Sequence, residues 1–231
     1  EVADSHPLLA VKRSFDSQKY AVAETTAKNV LRDYPRFDDV RVLLARSLLA
    51  GNKTVEAEKE FRSVLEEKLP SARTLAWANV GLADIAQQAG RNTDALKFAE
   101  DAIRADAEYG ASLAARAIRN KINASTASDE SVKAFFAQFD KTAVSNRKAD
   151  LEAMAVVGDV SRFISGISGQ AVEWKTTVQH IDKIDPTSFW VEANLAIKLL
   201  NKEPSSGMAV FRLTKGGAGW KLSGVDIFEV R

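Results

Sequence analysis

His180 and Asp182 stand two residues apart in the stretch QAVEWKTTVQHIDKI. On a strand, residues i and i+2 project from the same face, so this pair can set a carboxylate against an imidazole and move a proton inside an apolar pocket. Asp226, in the closing stretch WKLSGVDIFEV, joins them if a bulge turns it to the same side. The competing structural reading makes His180 a strand-end residue that reaches solvent or is hydrogen-bonded in the core, with Asp182 and Asp185 flanking the turn at Asp185 and Pro186 as turn formers. No tyrosine lies beyond residue 110, so a phenolic oxyanion donor has no candidate here. The expectation is a chain without a catalytic site, with His180, Asp182 and Asp226 as the residues to inspect. Metal sites have less support: the two histidines, His6 and His180, are far from ligand spacing, and there is no cysteine. The glycines of KGGAG, residues 215–219, join two strand-like stretches instead of opening a helix, and they lack the Lys-Ser/Thr that follows a phosphate loop. They read as a hairpin turn, and no cofactor is expected.

Composition narrows the partners. Thirty-two basic side chains against 31 acidic ones leave no field to attract a polyanion, which argues against nucleic acid. No apolar run reaches the roughly 20 residues needed to span a bilayer. The sequence opens at Glu1 with no methionine and no visible signal peptide, so an upstream segment is expected, and export to a periplasmic or extracellular location is favoured over the cytoplasm.

The elements that must position these residues fall into two halves. In the first, three stretches align on small residues: Ala23 and Ala27 with Val30; Ala57 and Phe61 with Val64; Ala95 and Ala99 with Ala102. The leading alanines are 34 and 38 residues apart. The preceding stretches carry Val11, Ala45 and Ala83, and a last one carries Ala115. Small residues at these points let two helices approach closely while leucine and phenylalanine fill the gaps. This pattern, with Pro35 and Pro70 closing the first two units, resembles the tetratricopeptide repeat family over about residues 5–123. The third unit departs from it, with Ala107 at the closing position. The resemblance implies a concave groove lined by Lys12, Phe15, Arg46, Leu49, Trp77, Asp84, Gln87, Arg116 and Arg119. Such a basic and aromatic groove suits an acidic or C-terminal peptide, because guanidinium groups pair bidentately with carboxylates.

KINASTASDES then reads as a linker over residues 121–129, with a helix N-cap at Ser128 or Asp129. Val132, Phe135, Phe136 and Phe139 mark an amphipathic helix; Leu151, Met154 and Val157 mark a second, and DVSRFISGISG a short third. After Gly169 the period falls to two. Val172, Trp174, Val178 and His180 share one parity; Phe189, Val191, Ala193, Leu195, Ile197 and Leu199 share another, with Glu192, Asn194 and Lys198 opposed. In the last strand Trp220 and Leu222 disagree in parity with Val225 and Ile227, which predicts a bulge at Ser223 and Gly224. This order, closing on FRLTK and GGAGWKL, resembles the nuclear transport factor 2-like (SnoaL-like, ketosteroid-isomerase-like) superfamily over about residues 130–231. The resemblance implies a bent sheet wrapped round a long helix as a cone.

The expected fold is therefore α + (α+β). A helical-hairpin repeat solenoid covers residues 1–123, and an α+β cone with a bent four-stranded antiparallel sheet covers residues 124–231. The expected function is non-catalytic. The groove docks a peptide or partner protein, and the cone is a second binding surface or joins two copies through its sheet. The alternative is a small apolar ligand or an isomerase-like or cyclase-like reaction in the cone around His180.

Overall fold

The computed structural model describes residues 6–105, 109–123 and 128–228. A helical region precedes a four-stranded antiparallel sheet, and the chain divides into two compact units, Glu1–Ile122 and Asn123–Arg231. Ala107 lies outside the described residues, as does the middle of the linker.

The helical unit contains α1 (Pro7–Asp16), α2 (Tyr20–Asp33), α3 (Asp38–Ala50), α4 (Thr54–Glu66), α5 (Ala72–Gln88), α6 (Asn92–Ala105) and α7 (Tyr109–Ile122). Three of the connections are the same object. Gln18, Asn52 and Gly90 each take a left-handed conformation, with φ of 59°, 62° and 73°, at the centre of a three-residue turn. The next residue's N–H closes each turn on the carbonyl five residues back: Lys19 on Ser14, Lys53 on Leu48 and Arg91 on Ala86, at 2.9, 2.9 and 2.8 Å. This closure caps the orphan carbonyls of the first helix and reverses the chain within a few residues. Ala23, Ala57 and Ala95 follow at the same offset and are fully buried, as are Val11, Ala45 and Ala83 on the preceding helices. Close approach at these small residues brings each hairpin together. Successive first helices also touch, α1 with α3, α3 with α5 and α5 with α7.

The middle hairpin breaks the small-residue rule once. Phe61 stands where the other hairpins carry Ala27 and Ala99, and it is fully buried. Room for its ring comes from Gly81 on α5, where a Cβ would lie 2.2–2.7 Å from three ring atoms.

The second unit opens with α8 (Glu130–Ala143), followed by α9 (Lys148–Ala153), α10 (Ser161–Ile167) and the strands β1 (Ala171–Asp185), β2 (Ser188–Leu199), β3 (Ser205–Gly216) and β4 (Gly219–Phe228). The sheet is an open meander in the order β1-β2-β3-β4. Val132, Phe135, Phe136, Phe139 and Ala143 give α8 one apolar face, which packs in a single core with Trp174, Ile181, Val191, Phe211 and Leu222 of the sheet. Asp140, on the same helix, accepts from the Thr176 N–H at 2.8 Å and hydroxyl at 2.7 Å, tying α8 to β1.

Irregularities in the ladder decide which side chains face this core. The β3–β4 register passes from Arg212 opposite Gly224 to Leu213 opposite Leu222, so Ser223 is the extra residue of the expected bulge. Gly224 is needed there because a Cβ would meet the Arg212 guanidinium at 2.4–2.6 Å. Against β2, the register of β1 shifts at three places, after Ala171, Val178 and Lys183. A register shift between Ala171 and Glu173 leaves Val172 exposed and buries Ala171 instead. The second helix is also shorter than its periodicity suggested. Residues 154–156 leave the helical path, Leu222 donating its N–H to Met154 and accepting from Val156 at 2.8 and 2.9 Å, and Val157 is exposed. The hairpin loop between β3 and β4 is Gly217 and Ala218, followed by Gly219 at φ 102°.

Asp129 caps α8. Its carboxylate accepts from the Ser131 hydroxyl at 2.6 Å and from the N–H groups of Ser131 and Val132, and it pairs with Lys183 at 3.0 Å. The Ser131 hydrogen bond first, then Lys183, hold its pKa down at about 2. A carboxyl depressed in the folded state contributes stability that is complete above its unfolded value of about 4 and is lost as pH falls toward the folded value. Asp129→Ala is expected to cost about 1 kcal/mol near neutral pH, with the deficit shrinking between about pH 4 and pH 2. Urea denaturation of both proteins across that range measures it, and a deficit independent of pH would contradict it.

Candidate functional site

Val42 and Arg46 lie one helical turn apart on α3 and share a face of that helix. Val42 is buried, and the longer Arg46 side chain carries its guanidinium to a position between two rings. The guanidinium lies 3.8 Å from the centroid of the Trp77 ring on α5 and 4.6 Å from that of Phe15 on α1. The contacts of α1 with α3 and of α3 with α5 place these three side chains together. Rings on a guanidinium exploit its weak hydration and leave its in-plane N–H donors for a ligand. Burial pulls the Arg46 pKa down to about 10, with Asp16 opposing that shift and Arg73 adding to it at longer range. The group therefore remains a cation at neutral pH. It makes no hydrogen bond or ion pair with a described residue.

Arg46 and Trp77 are shared by two adjoining cavities. The smaller, of about 340 Å³, is lined by Lys12, Asp16, Asp39, Arg73 and Thr74, among others. Its polar groups are mostly committed: Lys12 pairs with Asp16 at 2.6 Å, and the Thr74 hydroxyl donates to Asp39. The larger, of about 540 Å³, is mainly apolar, with Phe15, Leu49, Val80 and Ile118 in its wall and Asp84 as its acidic residue.

Of the groove residues expected from sequence, Lys12, Phe15, Arg46, Leu49, Trp77 and Asp84 thus line one or both cavities. Gln87 does not; it accepts from Lys121 at 3.5 Å, and its neighbour Gln88 faces the larger cavity instead. Arg116 and Arg119 also fall outside the lining, where α7 contributes Ala114, Ala117 and Ile118, and Arg119 is buried. Sequence reasoning missed Arg73, Val80 and Gly81 in these walls. The signal for Gly81 was present, because Phe61 replaces an alanine of the neighbouring hairpins and needs a compensating small residue.

The second unit brings His180 and Asp182 together, with Nε2 and Oδ1 2.7 Å apart. Their location differs from the expected one. A register shift between Val178 and His180 moves His180 into the row His180, Glu192, Val210 and Asp226, while Ile181 takes the row of Val191, Phe211 and Val225. Val191 and Phe211 belong to the core under α8, so the His180 pair lies on the opposite face of the sheet. Asp226 stands in the same row but three strand spacings away, about 14 Å. Glu192, on the face opposed to the Val191 row as expected, is buried there opposite His180. A carboxylate-oriented imidazole of this kind can hold or pass a proton, and the fold keeps it away from the aromatic core.

Among the described residues no group of three or more His, Asp or Glu side chains could hold a metal ion, and no helix is long and apolar enough to cross a membrane. No protein-family model, curated protein or solved structure matches the chain.

Proposed function

We propose that this is a non-catalytic interaction protein. In this reading the helical unit is a tetratricopeptide-like stack of hairpins that binds a peptide or partner protein through Arg46. The α+β unit, a nuclear transport factor 2-like cone, is a second binding or dimerisation module. The observation that carries the reading is the Arg46 guanidinium, held between Trp77 and Phe15 at the junction of two cavities with its donors unmatched by a described residue. A carboxylate is the complementary group, since it takes two parallel N–H donors from a guanidinium. The three matching turns at Gln18, Asn52 and Gly90 support the repeat assignment. Exposed Trp190, on the sheet face away from the α8 core, offers apolar surface for a second contact. The position of His180 and Asp182 away from the α8 core supports a structural role for that pair.

Selection of random displayed peptides on the wild type and on Arg46→Gln tests this. The wild type is expected to enrich sequences with a carboxylate at a fixed position, and the variant is expected to lose that enrichment. Loss of a charged hydrogen-bond partner corresponds to about 10- to 100-fold in affinity. The same acidic consensus from both proteins would contradict the proposal.

A further inference from the structure

We infer that the larger cavity selects a partner segment with an acidic and a basic side chain on either side of an apolar one, the carboxylate on Arg46 and the cation on Asp84. This rests on reading the helical unit as a peptide-binding module, and it names the chemistry of the peptide. Arg46 and Asp84 hold the same place in successive hairpins, 38 residues apart, and both line this cavity. They project from α3 and α5, helices in contact whose axes lie about 8–10 Å apart by ordinary packing. Neither forms a hydrogen bond or ion pair with a described residue. Opposite charges facing one cavity attract strongly when its lining is apolar. Here the rings of Trp77 and Phe15 hold the guanidinium in place, so each charge is presented to a ligand. Lys12, which holds the same position on α1, is paired with Asp16 and lines only the smaller cavity.

A purely acidic segment would bring a like charge against Asp84, and a purely basic one would do the same at Arg46. A mixed segment satisfies both and places its apolar residue against Leu49, Val80 and Ile118. An extended chain advances about 3.3 Å per residue, so acidic and basic residues flanking one or two apolar ones span about 7–10 Å, the order of the spacing between two packed helices. The cavity volume, about 540 Å³, is sufficient for such side chains.

The test uses the full chain and an array of blocked heptapeptides in which one glutamate, one leucine and one lysine occupy all orders on a glycine-serine background. Fluorescence anisotropy on the wild type is expected to find binders that weaken about tenfold when lysine becomes glutamine. That lysine dependence should vanish in Asp84→Asn, and Asp84→Lys should come to prefer a second glutamate. Circular dichroism confirms that each variant is folded. Binding that depends on glutamate through Arg46 but is indifferent to lysine would overturn this inference and leave the proposed function standing. Lysine dependence that survives in Asp84→Asn would overturn it as well. Absence of any binder, or glutamate dependence unchanged in Arg46→Gln, would overturn both.

Discussion

Gly81→Ala is expected to destabilise the helical unit by about 1–2 kcal/mol net, against the ordinary direction of a glycine-to-alanine change in a helix. Elsewhere in a helix interior that substitution gains up to about 1 kcal/mol, because glycine loses the most backbone entropy on folding. Here the new Cβ would sit 2.2–2.7 Å from three atoms of the fully buried Phe61 ring. Overpacking of this kind costs about 1–3 kcal/mol and sometimes more. Because α4 and α5 meet at this contact, relief requires the Phe61 ring to shift toward the larger cavity that it lines, or the two helices to separate. Phe61→Leu should lower the cost of Gly81→Ala, so a double-mutant cycle by urea denaturation is expected to show coupling between the two positions. Additive effects would mean that the ring does not fill the space left by Gly81.

Phe139→Ala is expected to cost about 3–5 kcal/mol in the second unit, the range for removing a buried phenylalanine side chain. Phe139 is fully buried on α8, with Phe135 at 6.1 Å and Trp174 of β1 at 6.3 Å between ring centroids. The same core reaches Phe163 on α10, whose ring is 5.9 Å from Trp174, and Phe211 on β3, which meets Phe136 at 5.0 Å. Loss of the Phe139 ring therefore removes the ring contact between α8 and Trp174 at the start of the sheet, while the Asp140 to Thr176 hydrogen bonds remain. Thermal melting followed at a tryptophan band should show a large drop in the transition of this unit. A melting curve like that of the wild type would place the energetic centre of the unit elsewhere.

The local order of the fold was legible because its determinants are local. The small residues Ala23, Ala57 and Ala95 announce helical hairpins by their spacing, and period-two stretches after Gly169 announce strands. The bulge at Ser223 was readable for the same reason: two halves of one strand disagreed in parity, and a glycine stood between them. What sequence did not reveal depends on pairing between distant strands or helices. The shift after Val178 changes the face of His180, yet nothing in QAVEWKTTVQHIDKI marks it, because the irregularity is defined by the partner strand. The shortened α9 follows from hydrogen bonds between residues 154–156 and Leu222, a contact that helical periodicity cannot encode. In the candidate site, the repeat offset was enough to bring Lys12, Arg46 and Asp84 forward. On α7 it brought forward Arg116 and Arg119, whereas Ala114, Ala117 and Ile118 line the cavity. The rotation of that helix is set by its packing on α5 and α6, which a charge pattern does not encode.

Capture of a partner's carboxylate by Arg46 is the step on which the proposed function depends. It is measured by calorimetric titration of the wild type, Arg46→Lys and Arg46→Gln with one acidic peptide selected on the wild type. Saturable binding is expected to weaken about 10- to 100-fold in Arg46→Gln, with part of the affinity kept in Arg46→Lys, where a charge remains but the planar fork is lost. Equal affinity in all three folded proteins would show that Arg46 does not bind the carboxylate.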